Sequence, residues 1–242
     1  MVAVWIVLMV LGLVGMIVCV EMQKSNPAMQ PASVVFFALL LFGAVMWLRA
    51  ANLFGGGRRG IVDNELAYYS ARGVKIGALL AKYAPGRKVL VLAEPSFEQD
   101  IFSKRLVEVM KKKFGGEVTV AWVDVPGNFV EMGAGYQEIA TAGKLNAIID
   151  RHAPGAVVLL AGLPADAPRM KIFTRRGRLP LIVVGIGAAN RRFVAEQLRN
   201  GGIAALIEGR RGGGGREAPD DPEKAFGKRN ILYTKDNAAD FK

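Results

Sequence analysis

Two long apolar runs without a single charge occupy most of the first fifty residues. The first is Val2–Val20 (VAVWIVLMVLGLVGMIVCV), and the second is Ala32–Leu48 (ASVVFFALLLFGAVMWL). A helix needs about 20 apolar residues to cross the hydrocarbon core of a bilayer, so the first run is long enough and the second is near the lower limit. Trp5 and Trp47 lie near the ends of the runs, where indole rings favour the membrane interface. Residues 1–53 are therefore predicted to form a two-helix transmembrane hairpin.

The first run has two alternative interpretations, a cleaved signal peptide and a lipid anchor on Cys19. A signal peptide has a basic start and a small-residue cleavage site, and this run has neither. Val18 stands before Cys19, where a lipoprotein signal requires a small residue. Because Cys19 is the only cysteine, an intrachain disulfide is excluded. The membrane hairpin is the favoured interpretation.

Basic residues beside the two runs predict the orientation in the membrane. The loop between the runs carries only Lys24, whereas Arg49, Arg58 and Arg59 follow the second run. The positive-inside rule then places both termini in the cytoplasm. We predict a two-pass protein of the inner (cytoplasmic) membrane whose soluble domain faces the cytoplasm.

Residues 54–84 are predicted to connect the hairpin to the soluble domain. Phe54–Gly60 reads FGGGRRG, which favours a flexible basic linker because glycine is a poor helix former. Ile61–Tyr83 has apolar residues at helical spacing, and Pro85 and Gly86 follow it directly. This pattern predicts a connecting helix that ends at the Pro-Gly pair.

Residues 85–242 alternate between strand and helix patterns. The run KVLVLA is typical of a strand buried on both faces of a parallel sheet. Strands are predicted at Lys88–Ala93, Val118–Val125, Ala156–Ala161, Leu179–Gly185, Ile203–Ile207 and Ile231–Thr234, the last as an edge strand. Helices are predicted at Phe102–Phe114, Leu145–His152, Arg169–Arg176 and Arg191–Asn200. Repeated β-α-β units predict an α/β fold with a doubly wound, mainly parallel, Rossmann-like sheet of five to six strands.

The stretch from Gly209 to Lys228 (GRRGGGGREAPDDPEKAFGK) interrupts this alternation. Its glycines and mixed charges predict a flexible surface loop over residues 209–228. The alternative is a segment that becomes ordered on a protein partner or a lipid surface.

Candidate ligand-binding residues follow the predicted strands, because ligands of doubly wound sheets bind at the carboxyl ends of the strands. The candidates are Glu94, Ser96, Asp100, Gly162, Asp166, Gly185, Gly187 and Asn190. Ser96 and Asp100 also have the residue types that cap helix N-termini, and a helix is predicted directly after them.

The turn from Gly185 to Gly187 has two interpretations. A G-x-G sequence between a strand and a helix is part of the dinucleotide-binding pattern, and Glu208 ends the next strand where a ribose-binding acid would lie. Arg210 and Arg211 could favour a 2′-phosphate. Asn190, however, occupies the position of the third glycine, and glycines are common in tight strand-to-helix turns. A tight turn without a cofactor is the favoured interpretation.

Histidine and cysteine, which often serve in metal binding and catalysis, occur once each in the sequence. His152 is the only histidine, and it is predicted to lie at the end of a helix. A Walker A sequence and a G-x-S-x-G turn do not occur, and the only cysteine lies in the first apolar run. We assign no catalytic residue and predict neither a cofactor nor a metal.

The net charge of +11 raises the question of an anionic partner. The basic clusters are Lys111–Lys113, Arg175–Arg178, Arg191–Arg192 and Arg210–Arg211. Aromatic residues for base stacking do not alternate with them, so a nucleic acid is not favoured as a partner. Attraction to the anionic headgroups of a bilayer explains the charge at least as well.

Three stretches between Tyr83 and Glu208 carry a resemblance to a known family. They are KVLVLAEPSFEQDIFSKRLVEVM, AIIDRHAPGAVVLLAGLP, and LPLIVVGIG followed by GGIAALIEGR. They resemble one lobe of the type I periplasmic sugar-binding proteins, a flavodoxin-like unit of five strands. In that family the loops after strands one to four line the ligand cleft, which implies roles for Glu94, Ser96, Gly162 and Gly187.

This sequence departs from that family in two respects. The family has two lobes with the ligand between them, and this chain has room for one lobe. Members of the family are exported, whereas the charge bias here predicts a cytoplasmic domain.

The favoured hypothesis is therefore a non-catalytic, membrane-anchored α/β module within a membrane-associated assembly. Its expected partners are the lipid bilayer, a protein or a second copy of the chain, and a small molecule. The alternative is a nucleotide-dependent membrane enzyme or regulator that uses the Gly185–Gly187 turn. A third hypothesis, tethering of nucleic acid through the arginine clusters, ranks below both.

Overall fold

The structure is a computed structural model that describes residues 2–23, 30–50, 56–124, 136–174, 179–210 and 217–241. The chain divides into two compact units, Met1–Asp63 and Asn64–Lys242. The first unit contains two apolar helices, and the second is built around a β-sheet.

The N-terminal unit contains an antiparallel pair of helices, α1 (Val2–Gln23) and α2 (Gln30–Ala50). At one end of the pair, the Gln23 side chain donates to the Ser33 hydroxyl at 3.4 Å. Toward the other end, the rings of Trp5 and Phe42 lie 6.2 Å apart edge to face. Between these pairs the helices approach closely at Gly12, where a Cβ would lie 2.9 Å from the Leu40 nitrogen. Small residues at such contacts are typical of helix pairs in membranes.

The outer surface of this helix pair is apolar. Large side chains exposed on it include Val7, Leu11, Val14, Val35 and Phe42. Among the described residues, one helix is long and apolar enough to cross a membrane, Val4–Gln23, with a mean hydropathy of 2.6. The apolar part of α2, Pro31–Trp47, is shorter. The first span is therefore supported by length and composition, and the second span stays a prediction.

A six-stranded sheet forms the centre of the second unit. Its strands are β1 (Val89–Leu92), β2 (Val118–Ala121), β3 (Ala156–Leu159), β4 (Leu181–Val184), β5 (Ala205–Gly209) and β6 (Asn230–Tyr233). Their order is β2-β1-β3-β4-β5-β6. The first five strands are parallel, and β6 is antiparallel to β5 at the edge. The predicted α/β fold and its mainly parallel sheet are confirmed.

Helices cover both faces of the sheet. Successive side chains of a strand point to opposite faces, so a strand of apolar residues has two apolar faces to bury. The remaining helices are α3 (Gly56–Tyr83), α4 (Ile101–Phe114), α5 (Tyr136–Ile139), α6 (Ala142–His152), α7 (Arg191–Arg199) and α8 (Pro222–Arg229). One core contains Leu90 and Leu159 with residues of α5, α6 and α7. The other core contains Val91 and Val158 with residues of α3, α4 and α8. The apolar strand runs read from the sequence are thus buried on both faces.

Helix α3 differs from the predicted linker and connecting helix. The prediction of a flexible linker over Phe54–Gly60 is wrong from Gly56 onward, because α3 begins there. Glycine costs about 1 kcal/mol at an interior helix position. Here the burial of Tyr68, Ile76 and Leu80 later in the same helix favours the helical conformation. The helix predicted at Ile61–Tyr83 is confirmed, and from Asn64 onward it belongs to the sheet unit.

Polar contacts hold α3 against α8 and β6. Arg229 pairs with Glu65 at 2.5 Å, and its guanidinium lies 3.7 Å from the centre of the Tyr68 ring. The hydrogen bond from Arg229 to Glu65 raises the pKa of Arg229. Arg72 donates to the Asn230 side-chain oxygen at 2.9 Å, and burial lowers the pKa of Arg72. These contacts make α3 an integral layer of the sheet unit.

Two further predictions need correction. The loop predicted over 209–228 contains α8, which begins after Asp221; the Asp221 side chain accepts from the Glu223 N–H at 2.9 Å. Burial of Phe226 stabilises this helix, while residues 211–216 lie outside the described residues. Instead of one short helix at Arg169–Arg176, two 3₁₀ turns occur, at Ala167–Arg169 and Lys171–Phe173. Residues 175–178 lie outside the described residues.

Candidate functional site

The carboxyl ends of β1 and β3 mark the point where the strand order of the sheet reverses. From β1 the chain passes through α4 to the outer strand β2, whereas from β3 it passes to β4 on the other side. The loops after β1 and β3 therefore run apart and leave a crevice between them. In open α/β sheets this reversal point is the usual location of a ligand.

A cavity of about 220 Å³ lies at this reversal point, on the face of the sheet that α3 and α4 cover. Its lining residues come from α3, the loop after β1, the first turn of α4 and the end of β3. They are Tyr69, Ala93, Glu94, Ser96, Phe97, Asp100, Ser103 and Leu160. We call this cavity the β1 cavity. Three of the predicted site residues, Glu94, Ser96 and Asp100, line it together.

Asp100 combines a structural role with its position in the β1 cavity. It is the N-cap of α4, and its carboxylate accepts from the N–H groups of Phe102 at 3.0 Å and Ser103 at 3.2 Å. The Ser103 hydroxyl also donates to Asp100, at 2.5 Å. The prediction that Asp100 caps this helix is confirmed. Ser96 does not cap: it lies in the 3₁₀ turn Pro95–Glu98, whose N-cap residue is Glu94 and which has no side-chain cap.

Glu94 lines the cavity and is exposed to solvent. Its carbonyl accepts from the Phe97 N–H at 2.9 Å, while its side chain makes no hydrogen bond or ion pair with the residues that the structure describes. Neighbouring Glu98 differs, because it does not line the cavity and pairs with Lys104 at 3.5 Å. Glu94 is therefore the carboxylate of this loop that is available to a ligand.

Tyr136 supports the base of the same loop, and sequence reasoning did not identify it. Its hydroxyl donates to the Ala93 carbonyl at 3.1 Å and accepts from the Val123 N–H at 3.1 Å. Burial raises the pKa of the Tyr136 phenol, and the Glu94 charge raises it further, against the lowering effect of the Val123 hydrogen bond. Tyr136 thus joins the loops after β1 and β2 directly before Glu94. No local spacing in the sequence distinguishes Tyr136 from the other tyrosines.

Replacing Tyr136 by Phe tests this support. The variant leaves the Ala93 carbonyl and the Val123 N–H without their partner, and an unsatisfied buried group costs about 1–3 kcal/mol. We expect the free energy of unfolding to fall by that amount in urea titrations of the detergent-solubilised chain. Tyr83→Phe is the matched control, since the Tyr83 hydroxyl has no hydrogen bond among the described residues. Equal stability of the two variants would contradict the assigned role.

The glycine candidates Gly162 and Gly187 contact each other rather than the β1 cavity. Leu163 and Gly187 form an isolated parallel bridge between the loops after β3 and β4. The Leu163 N–H donates to the Ile186 carbonyl at 3.1 Å, and the Ala188 N–H donates to the Leu163 carbonyl at 2.9 Å. A Cβ on Gly162 would lie 2.7 Å from the Gly187 Cα. These glycines allow two backbones to meet, which agrees with the tight-turn interpretation.

A second void on the opposite face of β1 and β3 leaves no room for a ligand. It is lined by apolar groups including Leu92, Leu145 and Leu159, together with Gly162 and Tyr136. Its volume of about 10 Å³ is at most that of one water molecule. Gly162 therefore lines a packed region.

Asp166 and Asn190 serve as helix-capping residues. Asp166 accepts from the Ala142 N–H at 2.8 Å, at the start of α6. Asn190 is the N-cap of α7 and accepts from the Arg192 N–H at 2.8 Å. A dinucleotide phosphate would need the N–H groups at the start of α7. The side chain of Asn190 already occupies that position.

Glu208, the predicted ribose-binding acid, already has a partner within the protein. Arg191 forms two hydrogen bonds to the Glu208 carboxylate, at 3.0 and 3.3 Å. The Arg191 guanidinium also lies 4.3 Å from the centre of the Phe241 ring. Gly185 has a φ of +76°, as a tight turn requires. The structure thus disfavours a dinucleotide site at Gly185–Gly187.

Metal ligands do not converge in the described part of the chain. No group of three or more His, Cys, Asp or Glu side chains there could hold a metal ion. His152 is exposed in the last turn of α6, and Cys19 is buried in the helix pair.

Comparison with solved structures finds sugar- and solute-binding proteins. An arabinose-binding protein from Geobacillus stearothermophilus matches with a TM-score of 0.47 and 12% identity, and the match covers 72% of this chain and 63% of that protein. A sugar-binding protein of an ABC transporter from Bacillus halodurans matches with a TM-score of 0.47 and 12% identity, and the match covers 72% of this chain and 64% of that protein. A solute-binding protein from Actinobacillus succinogenes with bound D-allose matches with a TM-score of 0.46 and 10% identity, and the match covers 72% of this chain and 61% of that protein.

These matches agree with the predicted resemblance to periplasmic sugar-binding proteins in fold alone. The chain spans about three fifths of the length of these proteins. No protein-family model and no curated protein matches the sequence.

Proposed function

We propose that this protein is a non-catalytic, membrane-anchored α/β module that binds a small molecule in the β1 cavity. The observation that carries the proposal is the convergence of Tyr69, Glu94, Ser96, Asp100 and Ser103 on one cavity at the reversal point of the sheet. Ligand sites are typically concave and place a few polar groups beside apolar walls. Phe97 and Leu160 supply such walls here.

The chemistry of the lining favours binding over catalysis. Ser103 donates to Asp100, which resembles the pairing of a nucleophile with a base. Asp100, however, uses both carboxylate oxygens to cap α4, so its geometry is explained by the helix start. The pair therefore needs no catalytic role.

The assembly around this module is also a proposal. The β1 cavity opens beside exposed Glu94 and Ser96, so a second surface is needed to enclose a ligand completely. A second copy of the chain or another membrane-associated protein would supply that surface. The apolar exterior of the α1–α2 pair supports anchoring in the bilayer. Anchoring would concentrate the chain and its partner in the same membrane.

The cytoplasmic orientation rests on the basic residues that follow the second apolar run. Protease treatment of sealed, right-side-out spheroplasts should leave residues 64–242 intact. Digestion from outside would reverse the orientation and place the β1 cavity in the envelope.

Cysteine protection tests the proposed function directly. In a Cys19→Ser background, Ser96→Cys places a thiol in the β1 cavity, and Glu98→Cys places one on the same loop outside it. The detergent-solubilised chain is labelled with iodoacetamide in the presence of D-arabinose, D-allose, the common amino acids or putrescine. At least one compound should slow labelling at position 96 about five-fold or more without protecting position 98, as expected for steric exclusion of the reagent by a bound molecule. Equal rates at both positions with every compound would contradict the proposal.

A further inference from the structure

We infer that the β1 cavity selects a small organic cation, an ammonium or amidinium compound, over an anion or a neutral molecule of the same size. This inference rests on the proposed function and names the ligand class of that site. The charges, the hydrogen-bonding capacity and the volume of the cavity each support it.

The charges around the cavity are negative. Glu94 and Asp100 are carboxylates, and none of the described residues that line the cavity is Lys or Arg. Two basic side chains close to the lining have partners of their own. Lys104 pairs with Glu98, and Arg72 stacks on the outside of the lining, with its guanidinium 5.0 Å from the centre of the Tyr69 ring, and donates to Asn230. A cation that enters the cavity gains attraction from two carboxylates, while an anion meets repulsion from both.

The start of α4 provides no anion site, although helix N-termini generally attract anions. The Asp100 carboxylate already accepts from the N–H groups of Phe102 and Ser103. An anionic ligand would have to displace Asp100 and leave that carboxylate beside it. The protein's own acid therefore occupies the place that a phosphate or carboxylate would take.

The hydrogen-bonding groups are mainly acceptors. The Ser103 hydroxyl donates its hydrogen to Asp100, which leaves the lone pairs of its oxygen for a donor on the ligand. Glu94 accepts only, because an ionised carboxylate has no hydrogen to donate. An ammonium group carries donors and a positive charge, so it satisfies both features together.

The cavity volume limits the size of the ligand. A volume of about 220 Å³ lies below the roughly 300–1,000 Å³ of pockets that bind drug-sized molecules. Buried Phe97 and half-buried Leu160 contact the apolar part of such a ligand. The expected ligand is a short amine with a small apolar body.

A matched set of three probes tests the inference. They are 2-phenylethylammonium, phenylacetate and 2-phenylethanol, which share one ring and differ in charge. Binding to the full chain in a neutral detergent is measured by saturation-transfer-difference NMR at constant ionic strength. We expect the dissociation constant of the ammonium probe to be at least about ten-fold below those of the other two, since hydrogen bonds to charged groups are the stronger class.

Three variants locate the effect in the cavity. Glu94→Gln and Asp100→Asn each remove one charge, and Asn keeps the cap of α4 because it is a strong N-cap residue. Each should weaken binding of the ammonium probe about ten-fold. Glu196→Gln removes a charge from an exposed position of α7, which packs on the opposite face of the sheet, and should leave binding unchanged.

The possible outcomes separate the two proposals. Preferred binding of the ammonium probe, lost in the Glu94 and Asp100 variants, supports the cation inference. Equal or tighter binding of phenylacetate or phenylethanol, with protection of a cysteine at position 96, overturns the cation inference and leaves the proposed function intact. Failure of all probes, together with equal labelling at positions 96 and 98, contradicts both.

Discussion

Gly187→Ala should destabilise the sheet unit by about 3 kcal/mol, because two penalties act at the same residue. Gly187 has a φ of +71°, a conformation that costs an L-residue about 1–2 kcal/mol. A Cβ there would also overlap the carbonyl oxygen of Leu163 and lie 2.6 Å from its nitrogen. Overpacking of this kind costs a further 1–3 kcal/mol or so, and the backbone of Leu163 cannot rotate away. Urea titration of the detergent-solubilised chain measures the loss.

Gly185→Ala is the matched control for this prediction. Gly185 has a φ of +76°, but a Cβ there would have no atom within 4 Å. Only the conformational penalty of about 1–2 kcal/mol applies. Gly187→Ala should therefore be the less stable variant by about 2 kcal/mol. Equal stability of the two would mean that the loops after β3 and β4 are not held together as described.

Gly73→Ala should destabilise the same unit by about 2 kcal/mol, although alanine is the better helix former. Gly73 lies in α3 where this helix crosses α4. A Cβ would overlap the carbonyl oxygen of Leu106 and lie 3.2 Å from the Val109 Cβ. Gly77, one turn later, is close to α4 as well, since its Cβ would lie 2.8 Å from the Met110 carbonyl oxygen. Separating α3 from α4 to make room would disturb the core between them.

Gly60→Ala provides the opposite result in the same helix. Gly60 also belongs to α3, but a Cβ there would meet no atom within 4 Å. The gain in helix propensity, up to about 1 kcal/mol, then has no packing cost against it. Thermal unfolding followed by circular dichroism should show a lower midpoint for Gly73→Ala and an unchanged or higher one for Gly60→Ala. A change of the same sign in both would contradict the close packing of α3 on α4.

The sheet was predictable because its central strands, such as β1 and β3, are buried on both faces. KVLVLA and AVVLLA have no polar alternation, and only a covered parallel strand accommodates such runs in a short α/β unit. Helix starts were predictable in the same way, since a cap such as Asp100 acts within three residues of its own position. Local patterns were less reliable where burial outweighs propensity, as at Gly56 in α3 and at Phe226 in α8.

The candidate site was only partly predictable. Glu94, Ser96 and Asp100 follow one strand, so chain proximity alone brings them together. Tyr69 reaches the same cavity from a helix that precedes β1, and Tyr136 supports the loop from a helix that follows β2. Neither position carries a local signature.

The sequence by itself determined the apolar N-terminal helix, the alternation of strands and helices, and the helix caps, because these features depend on residues close together in the chain. Only the tertiary structure decided which residues distant in the chain join these candidates and which candidates lie elsewhere. It placed Glu94 and Asp100 beside Tyr69, and it turned Gly162 toward Gly187. The physical reason is that the strand order β2-β1-β3 sets which loops meet, and strand order follows from long-range packing of the two helical layers.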